Sequence, residues 1–394
     1  MTYNNKRFFL TGVLIAVFAL FSSISVKAEE ETEKFEPGSF IIGHIIDSYG
    51  WHITGDVSVP LPIILFDQGK PVVFSSSRFH HGHCAYNGYA IGFTPESKGK
   101  IVKLAGENAG YTGEIHELAQ GVEDEAGMEN LIDKNASIFD ISITKNVCGL
   151  FVAIIICCVV FLTVAKQYKQ REGKAPHGLQ GLVEPLVLFI RDEVAIPSLG
   201  KEKYKKYFPY LLTLFFFILI NNLMGLIPIF PFGANVTGNI AVTGILAVIT
   251  FFITQFSSNK TYWKHIVNTP GVPWWLKFPL PIMPVVEMIG LFTKPFVLMI
   301  RLFANITAGH IIVLGFIGLI FIFGAMAPAL GFTLAPVSLV FYLFMGLLEL
   351  LVAFVQAFVF TLLTALYIGM AMEDEHEHEE AHEANAVEVK PETI

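Results

Sequence analysis

Residues 287–310 read EMIGLFTKPFVLMIRLFANITAGH. Within this apolar run Glu287, Lys294 and Arg301 recur every seven residues, a spacing that on an α-helix returns each to within about 20° of the same direction. They form one polar stripe, and Asn305, a turn past Arg301, extends it. His310, nine residues past Arg301, lies on roughly the opposite side, about 13.5 Å further along the axis than Arg301. Pro295 permits a kink between Lys294 and Arg301. An ionisable group at mid-membrane costs about 2.5–3.5 kcal/mol. Such groups persist where they pair, meet water or meet a partner protein, so function is their default reading.

Around this stretch, residues 278–372 form an apolar hairpin with its break near Ala327-Pro328 to Pro336. Glu349 and Gln356 in the second arm are again seven apart and share a face. In straight, antiparallel helices that register sets Arg301 opposite Gln356 and His310 opposite Glu349, giving two polar levels. Arg301 is too deep to snorkel and does not deprotonate, so it stays a cation in the membrane. His310 and Glu349 titrate where protons are passed. For Lys294 and Glu287 a purely structural reading, in which Lys294 reaches toward the interface and Glu287 pairs with it near the helix entrance, stands level with a functional one.

The remaining chain has the composition of a polytopic membrane protein. Of 394 residues 53% are hydrophobic and 15% charged, against about 25% charged in soluble domains. The net charge of −8 arises partly from acidic runs outside the apolar blocks, and without a basic patch nucleic-acid binding is excluded. Residues 1–28, with Lys6 and Arg7 before an apolar stretch and small residues at the end, read as a cleavable signal peptide. An apolar run from Val147 to Ala165 is long enough to cross the bilayer and is followed by Lys166, Lys169, Arg171 and Lys174. Those cations place its far end in the cytoplasm. An amphipathic segment from Leu182 to Ile190 is expected to lie on that face. Between Lys206 and Lys260 no charged residue occurs, and Pro228, Pro231, Gly233 and Gly238 divide the stretch into two spans. The basic loop at Lys260, Lys264 and His265 returns the chain to the cytoplasm, where the acidic tail 373–394 also falls.

Residues 29–146 are read as a small periplasmic domain of unknown fold, with β-leaning runs at Pro60 to Phe66 and Pro71 to Phe74. Of the four cysteines only Cys84 falls there, so no intrachain disulfide framework arises. The clusters His80-His81-Gly82-His83-Cys84 and His376, His378, His382 lack firm ligand spacing and read as a solvated loop and tail.

Lys294-Pro295-Phe296, Arg301-Leu302-Phe303-Ala304-Asn305, Ala308-Gly309-His310 and Gln356-Ala357-Phe358-Val359-Phe360, with Asn222 to Pro228 upstream, resemble the membrane stator subunit a of F-type ATP synthases across roughly Glu184 to Met372. The resemblance implies a wedge against a ring of proteolipid rotor subunits, held by peripheral-stalk subunits and membrane lipids in a bacterial inner membrane. It implies that Arg301 is the essential arginine, lowering the pKa of each arriving ring carboxylate. It also implies that Asn305, Glu287, His310, Glu349, Gln356 and Asn222 line the half-channels or support the arginine. Gly225 stands where some relatives carry an Asp, so this chain lacks an acid there.

The expected fold is therefore all-α, with about five transmembrane helices and an interfacial helix, behind a small N-terminal exported domain. Its expected function is proton translocation without cofactor, metal or bond-making chemistry of its own. A secondary transporter would show duplicated halves, and an intramembrane enzyme a nucleophile with its base; the sequence offers neither.

Overall fold

The computed structural model describes residues 46–54, 57–94, 97–118, 125–227, 232–267 and 282–372, together with Gly38. The expected signal peptide 1–28, the tail 373–394 with its three histidines, and the turn residues Pro228 and Pro231 lie outside the described residues. Five helical stretches are long and apolar enough to cross a membrane: Lys145–Gln170, Leu179–Leu226, Ile240–Ser257, Pro284–Met326 and Pro328–Ala371.

Helix α1 (Lys145–Gln170) is capped by Thr144, whose hydroxyl accepts from the Val147 amide. It buries the small residues Gly149 and Ala153 against its neighbours and exposes Phe151, Ile155, Val159 and Leu162, as a lipid-facing helix does. Helix α2 (Leu179–Phe189) contains the expected amphipathic segment but runs on through a π-helical turn, Ile190–Ala195. That turn joins helix α3 (Ile196–Leu226), which bends at Gly200, where φ is 76°; only glycine adopts this backbone freely. Helix α3 is the centre of the bundle. Its Leu211, Phe215 and Ile218 are fully buried and pack with Leu298, Leu302, Phe360 and Ile368 of the last two helices.

Helix α4 (Ile240–Ser257) starts at Asn239, whose side chain accepts from the Ala241 amide. The short amphipathic helix α5 (Lys260–Val267) follows. Helices α6 (Ile282–Met326) and α7 (Pro328–Ala371) form the final hairpin. Here the expected break narrows to Ala327 alone. Pro328 opens α7 at a position where its missing N–H costs nothing, and Pro336 sits inside the helix. At 1.5 Å per residue the 45 residues of α6 span about 68 Å, more than twice a ~30 Å hydrocarbon core, so α6 must lie steeply inclined.

The N-terminal domain is β-rich. Strands β1 (Gly50–Thr54) and β2 (Val57–Pro60) pair antiparallel. Strands β3 (Pro62–Asp67) and β4 (Lys70–Ser75) form a hairpin over Gln68-Gly69, both at positive φ, as a two-residue turn requires. Strand β9 (Ile138–Asp140) pairs on the other edge of β3, giving the order β4-β3-β9. The two-residue to three-residue strands β5 (Cys84–Ala85), β6 (Tyr89–Ile91), β7 (Ile101–Lys103) and β8 (Gly113–Glu114) pair as β5-β8 and β6-β7. Alternation along β3 sends Ile63 and Leu65 inward onto Phe79, Tyr89 and Ile101. Tyr89 and Lys103 both reach the Asp67 carboxylate.

Candidate ion path through the hairpin

Three contacts fix the antiparallel register of α6 and α7. At the closed end a methyl group on Gly331 would lie 2.8 Å from the Gly324 Cα, so the backbones meet directly. Further along, Phe316 stacks on Phe341 with ring centroids 5.4 Å apart. Then His310 Nδ1 stands 2.7 Å from Glu349 Oε1. The expected facing of His310 and Glu349 is therefore met, and the same register puts Gln356 at the level of Arg301.

His310 is held from three sides. Its Nδ1 is also 3.0 Å from the Ile306 carbonyl, one turn back on α6, and its Nε2 is 3.3 Å from the Gly225 carbonyl on α3. A neutral imidazole carries one N–H for three oxygens. The Glu349 contact lies off the hydrogen-bond direction, and Oε1 has no aligned donor although Glu349 is 7% exposed. A buried carboxyl with an open acceptor next to an imidazole is an arrangement that can hold a proton on either group. Gly309 makes room for it: a methyl group there would lie 2.9 Å from Glu349 Oε1.

Asn222 is 1% exposed, and its Nδ2 donates to the Ala353 carbonyl of α7 at 3.0 Å. Its Oδ1 is buried without a partner among the described residues, as is that of Asn221. The amide thus braces α3 against α7 one turn from Glu349 and keeps a free acceptor at the same level.

Arg301 stands apart from this group. It is half-buried and forms no hydrogen bond or ion pair among the described residues; only the Tyr367 hydroxyl is within electrostatic reach. Around it Phe296, Val297 and Ile300 are exposed, as is Asn305. An unpaired guanidinium therefore lies on an apolar outer face of the hairpin. Gln356, 8% exposed, faces the interior and makes no hydrogen bond to Arg301.

Toward the start of α6 a second polar region opens. Lys294 Nζ lies over the Tyr367 ring, 5.6 Å from its centroid, in a cleft shared with Thr250, Thr254, Gln255 and Tyr262. Gln255 Oε1 is buried without a hydrogen-bond partner among the described residues, and Tyr210 and Thr250 hydroxyls are 3.0 Å apart. Glu287 lies within electrostatic reach of Tyr262. The expected Glu287–Lys294 ion pair is not formed among the described residues, because Lys294 turns to the tyrosine. Tyr367 and the Thr250–Gln255 face leave no signal in the sequence, whereas Gly225 is legible there only as the place of a missing acid and Gly309 only by its place beside His310.

Among the described residues no group of three or more His, Cys, Asp or Glu side chains is placed to hold a metal ion.

Residues 147–369 match the profile of a family described as ATP synthase A chain, and residues 40–134 match a domain of unknown function, DUF8433. The chain is 43% identical to ATP synthase subunit a of Chloroherpeton thalassium over 68% of its own length and 79% of that protein. It is 44% identical to ATP synthase subunit a of Chlorobium phaeobacteroides over 69% of its length and 86% of the relative. With ATP synthase subunit a of Myxococcus xanthus it shares 44% identity over 61% of this chain and 76% of the other.

Proposed function

The chain belongs to the family of ATP synthase A chains, proton-translocating membrane subunits, and from that premise we propose that Arg301 is the fixed cation between two half-channels that do not meet. The outer half-channel ends at His310, Glu349, Gln356 and Asn222. The inner one begins at Glu287 and follows the cleft of Tyr262, Gln255, Thr250 and Lys294. The observation that carries this reading is the position of Arg301: unpaired, on the outer face of the hairpin, between two polar regions on opposite sides of it along α6.

A rotor carboxylate arriving at that face meets a guanidinium that favours its ionised form, so it releases its proton. A neutral carboxyl then travels through lipid, where an ionised one would cost several kcal/mol. Reloading occurs from the other half-channel, and Arg301 blocks a direct path between the two. Asn305, exposed one turn away, contacts the same passing helix. The partners are a ring of proteolipid subunits at the α6–α7 face, peripheral-stalk subunits and membrane lipids. The subunit makes and breaks no covalent bonds. It sits in the bacterial inner membrane with the N-terminal domain periplasmic and the C-terminus cytoplasmic, a reading supported by Lys166, Lys169, Arg171 and Lys174 at the end of α1 and just past it.

The test is Arg301→Ala in inside-out membrane vesicles. ATP-driven acidification is expected to be lost while the complex still assembles; normal pumping would overturn the assignment.

A further inference from the structure

Trp51 of β1 lies in the wall behind the His310 site. Its indole is 3% exposed and packs on Ala234 and Val236, which are 0% and 1% exposed, with Cys148 of α1 and Val242 of α4 closing the seam. The loop it holds is tied inward. The Gly233 amide donates to the Met224 carbonyl at 2.9 Å, and the Ala234 carbonyl is 3.5 Å from where a methyl group on Gly225 would stand. Gly225 in turn offers its carbonyl to His310 Nε2.

From the other side α1 presses on the same loop, since a methyl group on Gly149 would lie 2.6 Å from Ala234 Cβ. The N-terminal domain is anchored there by polar contacts: Asp47 accepts from the Asn146 amide at 3.0 Å, and the Ser48 carbonyl from the Lys145 amide at 2.8 Å. Close-packed contacts of this kind transmit displacement, because no void absorbs it. The charged groups at the seam are Asp47 and Lys145; the one facing His310 is Glu349.

We propose that the N-terminal domain is a positioning element of the outer half-channel. Trp51 fixes the 233–238 loop, and through Ala234 and Gly225 it sets the orientation in which His310 receives protons from the periplasmic side. The inference rests on the half-channel reading above. It gives the domain of unknown function a task that a free-standing module could not perform.

The experiment is ATP synthesis by the reconstituted full complex, with pH varied on the N-terminal domain's side and the total driving force held constant by a potassium diffusion potential. Rates are normalised to assembled complex. Trp51→Ala should move the outer-pH dependence toward lower pH by roughly one unit, a tenfold higher proton concentration for the same rate. The dependence on pH at the opposite side should be unchanged. Trp51→Phe, which keeps an aromatic filler, should restore the parent profile. Val236→Ala, a smaller void in the same seam, should shift it in the same direction by less, and it carries the test if Trp51→Ala does not assemble. An unchanged outer profile, or equal shifts on both sides, would overturn the proposal. Loss of coupled pumping in His310→Ala alongside an unshifted Trp51→Ala discards this inference alone; full pumping in His310→Ala discards the half-channel reading beneath it.

Discussion

His310 Nδ1 lies 2.7 Å from Glu349 Oε1 across the α6–α7 hairpin, with no aligned donor on that oxygen. The two residues come from opposite arms, so the contact depends on the register fixed by Gly324–Gly331 and Phe316–Phe341. On the half-channel reading proposed above, the imidazole and the carboxyl act as one relay, so neither should work alone as the pair does.

That dependence is measurable by exchange. His310→Glu and Glu349→His singly should each reduce ATP-driven proton pumping by about tenfold or more, as expected for removing a positioned acid–base group. The double exchange keeps one imidazole and one carboxyl in the same space and should pump better than either single variant. A double variant no better than the worse single one would mean that the pair does not act as a unit.

Gly309 should prove as sensitive as the acid it faces. A methyl group there would stand 2.9 Å from Glu349 Oε1 and 3.2 Å from its Cγ. Gly309→Ala must therefore rotate the carboxylate away from His310, and overpacking of this size costs about 1–3 kcal/mol. Pumping should fall several-fold with assembly retained, whereas Gly290→Ala, at an open position on the same helix, should leave it unchanged. Proton-pumping assays on vesicles with matched subunit content separate the two.

Much of this was legible because membrane helices write their register in polar residues. Glu287, Lys294 and Arg301 stand out against an apolar run, and the seven-residue spacing of Glu349 and Gln356 was enough to place His310 on Glu349. What the pattern could not carry is contact across distant segments. The Gly225 carbonyl at His310 and the Asn222 amide on Ala353 involve backbone atoms, which leave no compositional trace. Lys294 turns from Glu287 to Tyr367 because an aromatic face is available at that depth, and a tyrosine on another helix gives no periodic signal. The N-terminal domain was the least legible part. Leu65 pairs with both Val72 and Asp140, and the second pairing is long-range, so its short strands declare themselves only once assembled.

Within that domain Asp67 accepts from Lys103 and Tyr89. The Lys103 ammonium, then the Tyr89 hydroxyl, hold its carboxyl below the ordinary carboxylate range, while burial and Asp67 push Tyr89 up to about 12. Because the folded pKa is depressed, the stability contributed is fully present above the unfolded value near ~3.9 and is lost as pH falls through the folded value. Asp67→Asn should therefore be less stable than the parent at pH 7, with the gap closing as pH falls below the unfolded value and through the depressed folded one. Acid titration of the near-ultraviolet circular dichroism of both proteins reads this directly, and a gap that stays constant with pH would remove Asp67 as its source.

Gly369 closes the end of the bundle opposite the hairpin tip. A methyl group there would fall 2.1 Å from the Ser198 carbonyl oxygen, a backbone atom that cannot rotate aside. The same end of α7 is capped by Lys203 Nζ and Asn259 Nδ2, which donate to the Met372 carbonyl at 3.1 and 3.0 Å. Gly369→Ala must push α7 off the first turn of α3 and strain both caps. It should destabilise the subunit by about 1–3 kcal/mol or more and lower the yield of assembled complex. Gly346→Ala, in the same helix with open space around it, exchanges a poor helix former for the best one and should be neutral or stabilising by up to about 1 kcal/mol. Thermal unfolding of the two purified variants distinguishes them. Equal melting temperatures would show that the approach of Ser198 is not what reserves this position for glycine.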